Sequence, residues 1–194
     1  YGYWIQTLGE RASLADNSTV NDHIIKNIAK MLLSSPNDGW MMLQEMQADY
    51  VIVFVGAQQL GVQSNNENIY ILNGGGDESK KTWFIRIADL PLTKYLESDN
   101  IIGTDYFWNE TLLGKMIPFK YISYYDPSTE QGSNNYVFGS VALSTKEIKF
   151  SDSINDPVKL VYASPSFYDQ SNIGYINTVF VYEINKNYVP VNNP

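Results

Sequence analysis

The apolar residues change their period part-way along this chain, and that change bounds the fold more tightly than any single motif. Up to about Tyr121 the dominant spacing is helical. Thr19-Val20-Asn21-Asp22 has the spacing of a capping box, and Ile24, Ile25, Ile28, Met31 and Leu32 follow at helical period. Ser35-Pro36 closes that helix and opens another, with Asp38 in its first turn and Trp40, Leu43 and Met46 along one face. Residues 50 to 55 are β-branched and aromatic throughout and predict a buried strand, closed by Gly56. A polar stretch over residues 58 to 81, broken only at 69 to 72 and carrying three successive glycines, predicts a mobile connection. Asp77 stands as an N-cap, with Glu78 behind it, for a helix running to about Asp89 before Pro91. A further helix is expected over residues 109 to 117.

After Tyr121 the runs shorten. Residues 136–143, 147–150, 158–163 and 178–184 read as strands between Pro, Asn, Ser and Asp clusters, and the tail from Tyr188 reads as frayed. The expectation is an α+β fold. Residues 1–125 form a helix-rich core with a buried strand, and residues 126–194 form a strand-rich part packing on it.

Composition removes several functions. The 194 residues carry 13 Lys and Arg against 21 Asp and Glu, a net charge of −8, which argues against a nucleic-acid binder. Without cysteine there is no disulfide framework, zinc–thiolate site or thiol nucleophile, and a single histidine, His23, excludes a multi-histidine metal cluster. No apolar run approaches the roughly 20 residues of a membrane helix. The opening Tyr-Gly-Tyr-Trp-Ile is neither an initiator nor a signal peptide, and the chain reads as a piece of something longer.

Most local motifs have ordinary explanations. Residues 74 to 80 lack the GxxxxGK[ST] pattern, and Asp77 and Glu78 stand where a phosphate needs bare amides. His23, in a first helical turn without partners, reads as a surface residue. GxSxG is missing, and no spacing singles out a carboxylate pair for glycoside hydrolysis. The sequons Asn17-Ser18-Thr19 and Asn109-Glu110-Thr111 sit where helix starts want Asn and Thr as caps.

The opening is more specific. Tyr1-Gly2-Tyr3-Trp4-Ile5, followed by Leu14-Ala15-Asp16-Asn17-Ser18-Thr19-Val20-Asn21, resembles the start of the C-terminal globular domain of the oligosaccharyltransferase catalytic subunit, most of all the archaeal AglB type. That family carries a Trp-Trp-Asp-Tyr-Gly motif (WWDYG) here, so Tyr1 and Gly2 would be its last two residues. A second motif, Asp-x-x-Lys-x-x-x-Met/Ile (the DK motif), is matched by Asp77 and Lys80, while Phe84 departs from Met or Ile. The resemblance is good to about Tyr125 and faint again over residues 179 to 184. It implies transfer of a lipid-linked oligosaccharide to the Asn of Asn-x-Ser/Thr by a multi-pass cell-membrane glycosyltransferase, with this domain on the extracytoplasmic face. The family uses Mn²⁺ or Mg²⁺ held by ligands outside this chain. Tyr1, Gly2, Asp77, Lys80 and Phe84 would then bind the acceptor peptide, reading its Ser or Thr. No catalytic residue or metal ligand falls in this stretch, so alone it should transfer no sugar. Two rivals remain: a stand-alone extracellular peptide- or glycan-binding module using its 15 Tyr and 4 Trp, and a secreted hydrolase.

Overall fold

Local rules start the helices. Asn21, and not the Thr19 of the expected capping box, caps α2 (Asp22–Leu33) by accepting from the Ile24 amide, and Ser35 caps α3 (Pro36–Glu45) by accepting from the Asp38 amide, with Pro36 in the first turn. The computed structural model describes residues 2–15, 21–72, 75–152, 154–169 and 174–190. A short helix, α1 (Gly2–Thr7), opens it. The helix expected over residues 109 to 117 is two pieces, α6 (Asp105–Glu110) and α7 (Leu112–Met116), broken at Thr111. The Thr111 hydroxyl donates to the Phe107 carbonyl at 2.6 Å and accepts from the Gly114 amide at 3.0 Å, so one side chain ends one helix and caps the next. Between α3 and α6 lie α4 (Lys81–Ala88) and α5 (Leu92–Tyr95).

Among the described residues, seven strands form one antiparallel sheet: β1 (Tyr50–Ser64), β2 (Glu67–Ile71), β3 (Phe119–Asp126), β4 (Gln131–Ser133), β5 (Val141–Lys146), β6 (Val158–Ala163) and β7 (Gly174–Ile184), in the order β4-β3-β5-β2-β1-β7-β6. The fold is therefore α+β, as the change of period predicted. β7, from the far end of the chain, lies along β1 from Tyr50↔Glu183 to Gln59↔Gly174. Ile176, Thr178, Phe180, Tyr182 and Ile184 turn to the core while their neighbours along β7 are exposed or half-buried.

The polar stretch after residue 58 is a hairpin. β1 continues to Ser64, and Asn65 and Asn66 both take positive φ (51° and 66°), the geometry of a two-residue turn that matches strand twist. Its polarity follows from exposure, since residues 61 to 67 are all exposed. Residues 147–150, expected as a strand, form none. Tyr188, expected to fray, is buried. Its hydroxyl donates to Asn37 Oδ1 and its ring meets Trp40 edge-on at 5.4 Å, while Trp40 Nε1 donates to the Asn185 carbonyl.

The helices cover one sheet face. α2 packs on α3, α4 and α7, and Leu33, Leu43, Ile85, Leu112, Leu113 and Met116 join Val53, Val55, Tyr70, Phe119, Phe180 and Tyr182 in a single core. Tyr182 donates to the Met116 carbonyl at 2.6 Å and so bonds β7 to α7. Lys149 does similar work, donating to the Gly114 carbonyl at 2.7 Å and the Trp108 carbonyl at 3.3 Å.

Burial pushes the Lys149 ammonium down from 10.5 to about 8, with Lys115 adding to the effect and Glu147 opposing it. An unfolded lysine keeps its proton to near its ordinary value, so above about pH 8 the unfolded chain binds more protons and stability rises with pH. Thermal melts taken from about pH 8 to about pH 9.5, below the ordinary tyrosine range, should show a rising Tm that flattens in Lys149→Met. Equal slopes in the two proteins would contradict this.

Candidate functional site

The site is built where the chain leaves β2 and returns to β1. β2 pairs with β1 only from Gln58 onward, which leaves the flank of β1 near Phe54 to another partner. Residues 75 to 77 take that place. A Cβ on Gly76 would lie 2.7 Å from the Phe54 carbonyl oxygen and 2.7 Å from the Gly56 nitrogen, so this close approach requires glycine. The Asp77 amide donates to the Phe54 carbonyl at 2.7 Å, and the Phe54 amide donates to Asp77 Oδ2 at 2.8 Å. Asp77 is thus a clamp on the strand and not the N-cap expected of it. Residues 77 to 80 form a turn with i to i+3 backbone bonds, and α4 begins only at Lys81.

The second carboxylate oxygen of Asp77 faces Lys80. Lys80 Nζ donates to Oδ1 at 3.1 Å, and the two side chains keep 50% and 21% of their exposure. A half-exposed pair of this kind contributes at most about 1 kcal/mol to stability. Its chemical content is directional: an ammonium has three N–H donors, and one is used on Asp77. Phe84 follows on α4, its amide donating to the Lys80 carbonyl at 3.1 Å, and its half-buried ring packs against the core. Lys80, just before α4, and Trp83, Phe84 and Ile87 on it share a stripe beside the buried one of Lys81, Ile85 and Ala88. Trp83 is 63% exposed, with the Arg86 guanidinium 5.7 Å from its ring centre.

The structure therefore brings Asp77 and Lys80 into contact and sets Phe84 one turn beyond. Gly2 is the buried first residue of α1, without a hydrogen bond or ion pair to these three among the described residues, and Tyr1 lies outside the described residues.

No family model matches the chain. It is similar to subunit STT3 of the dolichyl-diphosphooligosaccharide–protein glycosyltransferase of Saccharomyces cerevisiae, 33% identical over 89 residues that cover 46% of this chain and 11% of that protein. Subunit stt-3 of the same transferase in Caenorhabditis elegans is 30% identical over 131 residues, 64% of this chain and 16% of that protein. Subunit STT3B of Oryza sativa is 25% identical over 117 residues. The relatives are oligosaccharyltransferase subunits.

The match spans only 11% to 16% of the length of these oligosaccharyltransferase relatives. Among the described residues no helix is long and apolar enough to cross a membrane, and no three His, Asp or Glu side chains group to hold a metal ion. Of the two sequons, Asn17-Ser18-Thr19 lies outside the described residues, and Thr111 of the other is fully buried as a cap. His23 is exposed on α2, its Nδ1 3.4 Å from Asn27 Nδ2.

Sequence reasoning missed one feature beside the motif. Glu78 and Lys81 form a second ion pair that points inward, with Nζ 2.5 Å from Oε1 and side chains 8% and 3% exposed. The i, i+3 spacing of acid and base was the available signal.

Proposed function

We propose that the chain is the extracytoplasmic C-terminal domain of a membrane oligosaccharyltransferase catalytic subunit, and that it reads the Ser or Thr of an Asn-x-Ser/Thr acceptor. The archaeal type is favoured by the opening residues. The observation that carries the reading is the Asp77–Lys80 pair, held on β1 with its ammonium half in solvent. In this arrangement Asp77 positions Lys80, and Lys80 offers a remaining N–H to the acceptor hydroxyl. A site built around such a donor penalises an acceptor that lacks the hydroxyl. Phe84 supplies an apolar surface for the threonine methyl. The donor oligosaccharide and the divalent cation, Mn²⁺ or Mg²⁺, would be held by other parts of the polypeptide, the cation activating the leaving phosphate and the acceptor amide. This domain alone transfers no sugar.

The test is steady-state kinetics in the full-length transferase with Thr and Ser acceptor peptides. Lys80→Ala should raise the acceptor KM about ten-fold, the loss of a hydrogen bond from a charged donor. Phe84→Ala should change the Thr/Ser ratio several-fold, an apolar contact of about 1 kcal/mol. A native KM in Lys80→Ala would refute the reading.

A further inference from the structure

The turn before α4 carries two ion pairs of the same spacing and opposite direction. Asp77–Lys80 faces outward. Glu78–Lys81, displaced by one residue, faces inward: Lys81 Nζ also reaches the Glu78 carbonyl at 3.2 Å and stands 5.9 Å from the centre of the Phe107 ring. Burial pushes the Glu78 carboxyl up from its ordinary value, and Lys81 pulls it back only in part. Apolar residues of similar volume generally fill such a site without that cost. What an ion pair adds is direction.

Direction is needed here. Gly76 and Asp77 must meet β1 at Phe54, while α4, starting four residues later, must bury Ile85 and Ala88. Glu78 belongs to the turn and Lys81 is the first residue of the helix, so their pair is the inward side-chain link between the two. We propose that Glu78 and Lys81 are positioning residues whose buried pair sets the rotation of the turn on α4, holding Asp77 on Phe54 and Lys80 toward the acceptor. The consequence for acceptor binding rests on the reading proposed above; the consequence for the Phe54 clamp does not.

The double variant Glu78→Gln/Lys81→Met keeps the volume and leaves no charge unpaired. The first readout is amide exchange in the 194-residue chain. The Phe54 amide is bonded to Asp77, whereas those of its neighbours Val53 and Val55 turn toward β7 in the antiparallel ladder. Exchange at Phe54 should quicken about ten-fold with Val53 and Val55 unchanged, as expected of a local opening. The second readout is the full-length transferase, where acceptor KM should rise about five-fold at unchanged kcat. Lys81→Arg, which keeps the charge, should stay nearer to native in both. Native Phe54 exchange in the folded double variant would overturn the proposal. If that variant fails to fold, Glu78→Gln alone decides on the same amide, with the same reading of a native rate. Quickened exchange with a native KM in both Lys80→Ala and the double variant would sink the acceptor reading and leave the positioning role standing.

Discussion

Gly114→Ala should cost the fold more than about 4 kcal/mol, in the range reserved for severe core lesions. A Cβ at Gly114 would lie 1.9 Å from the Phe107 carbonyl oxygen and 2.9 Å from the Trp108 Cα, which are backbone atoms of α6 and cannot swing aside. Relief requires α6 and α7 to separate. That separation breaks the Thr111 bonds to Phe107 and Gly114 and strains the Lys149 bond to the Gly114 carbonyl. It also opens the core around Leu112, Leu113 and Met116, all fully buried. Urea unfolding should give either a much lower midpoint or no cooperative transition. A midpoint close to native would show that α6 and α7 do not pack as described.

Lys81→Met alone should destabilise by about 3–5 kcal/mol, because it leaves a buried carboxylate without its partner. The partner lost is the Nζ at 2.5 Å from Glu78 Oε1. The deficit carries a pH signature. Burial already raises the folded Glu78 pKa, and removing Lys81 takes away what lowers it, so the folded state binds the proton more tightly than the unfolded chain does. Stability is then lost as pH rises above the ordinary value of 4.5 and is recovered as pH falls back toward it. Unfolding measured at neutral pH and near that value should show the gap from native narrowing in acid. A gap independent of pH would mean that lost packing, and not the bare carboxylate, is responsible.

Much of the fold was legible in residues a few positions apart. The cap at Ser35 and the start of β1 depend on side-chain spacing and on bonds to the nearest amides, so they could be read without the rest of the chain, whereas α2 is capped by Asn21, two residues beyond the Thr19 that the capping-box spacing picked. The α+β class followed from the same local periods. For the candidate site, the family resemblance singled out Asp77, Lys80 and Phe84, and the i, i+3 relation of the first two is an ion pair.

Tertiary structure decided where those groups spend their bonds. Asp77 has the chemistry of an N-cap, yet its carboxylate accepts from Phe54, 23 residues away, because the flank of β1 before Gln58 needed a partner. The polar run after Gln58 is strand because Asn65 and Asn66 turn it back on itself; with both faces in solvent, no alternation of apolar residues marked it. Thr111 breaks a helix that composition would continue, since Gly114 must lie against Phe107. Tyr188 is ordered by Asn37 and Trp40, residues it meets only after the sheet has brought the end of β7 beside α3. Helical period and capping act over a few residues and survive in the bare sequence, whereas a buried bond across the chain is chosen by whichever partner the packed sheet leaves unsatisfied.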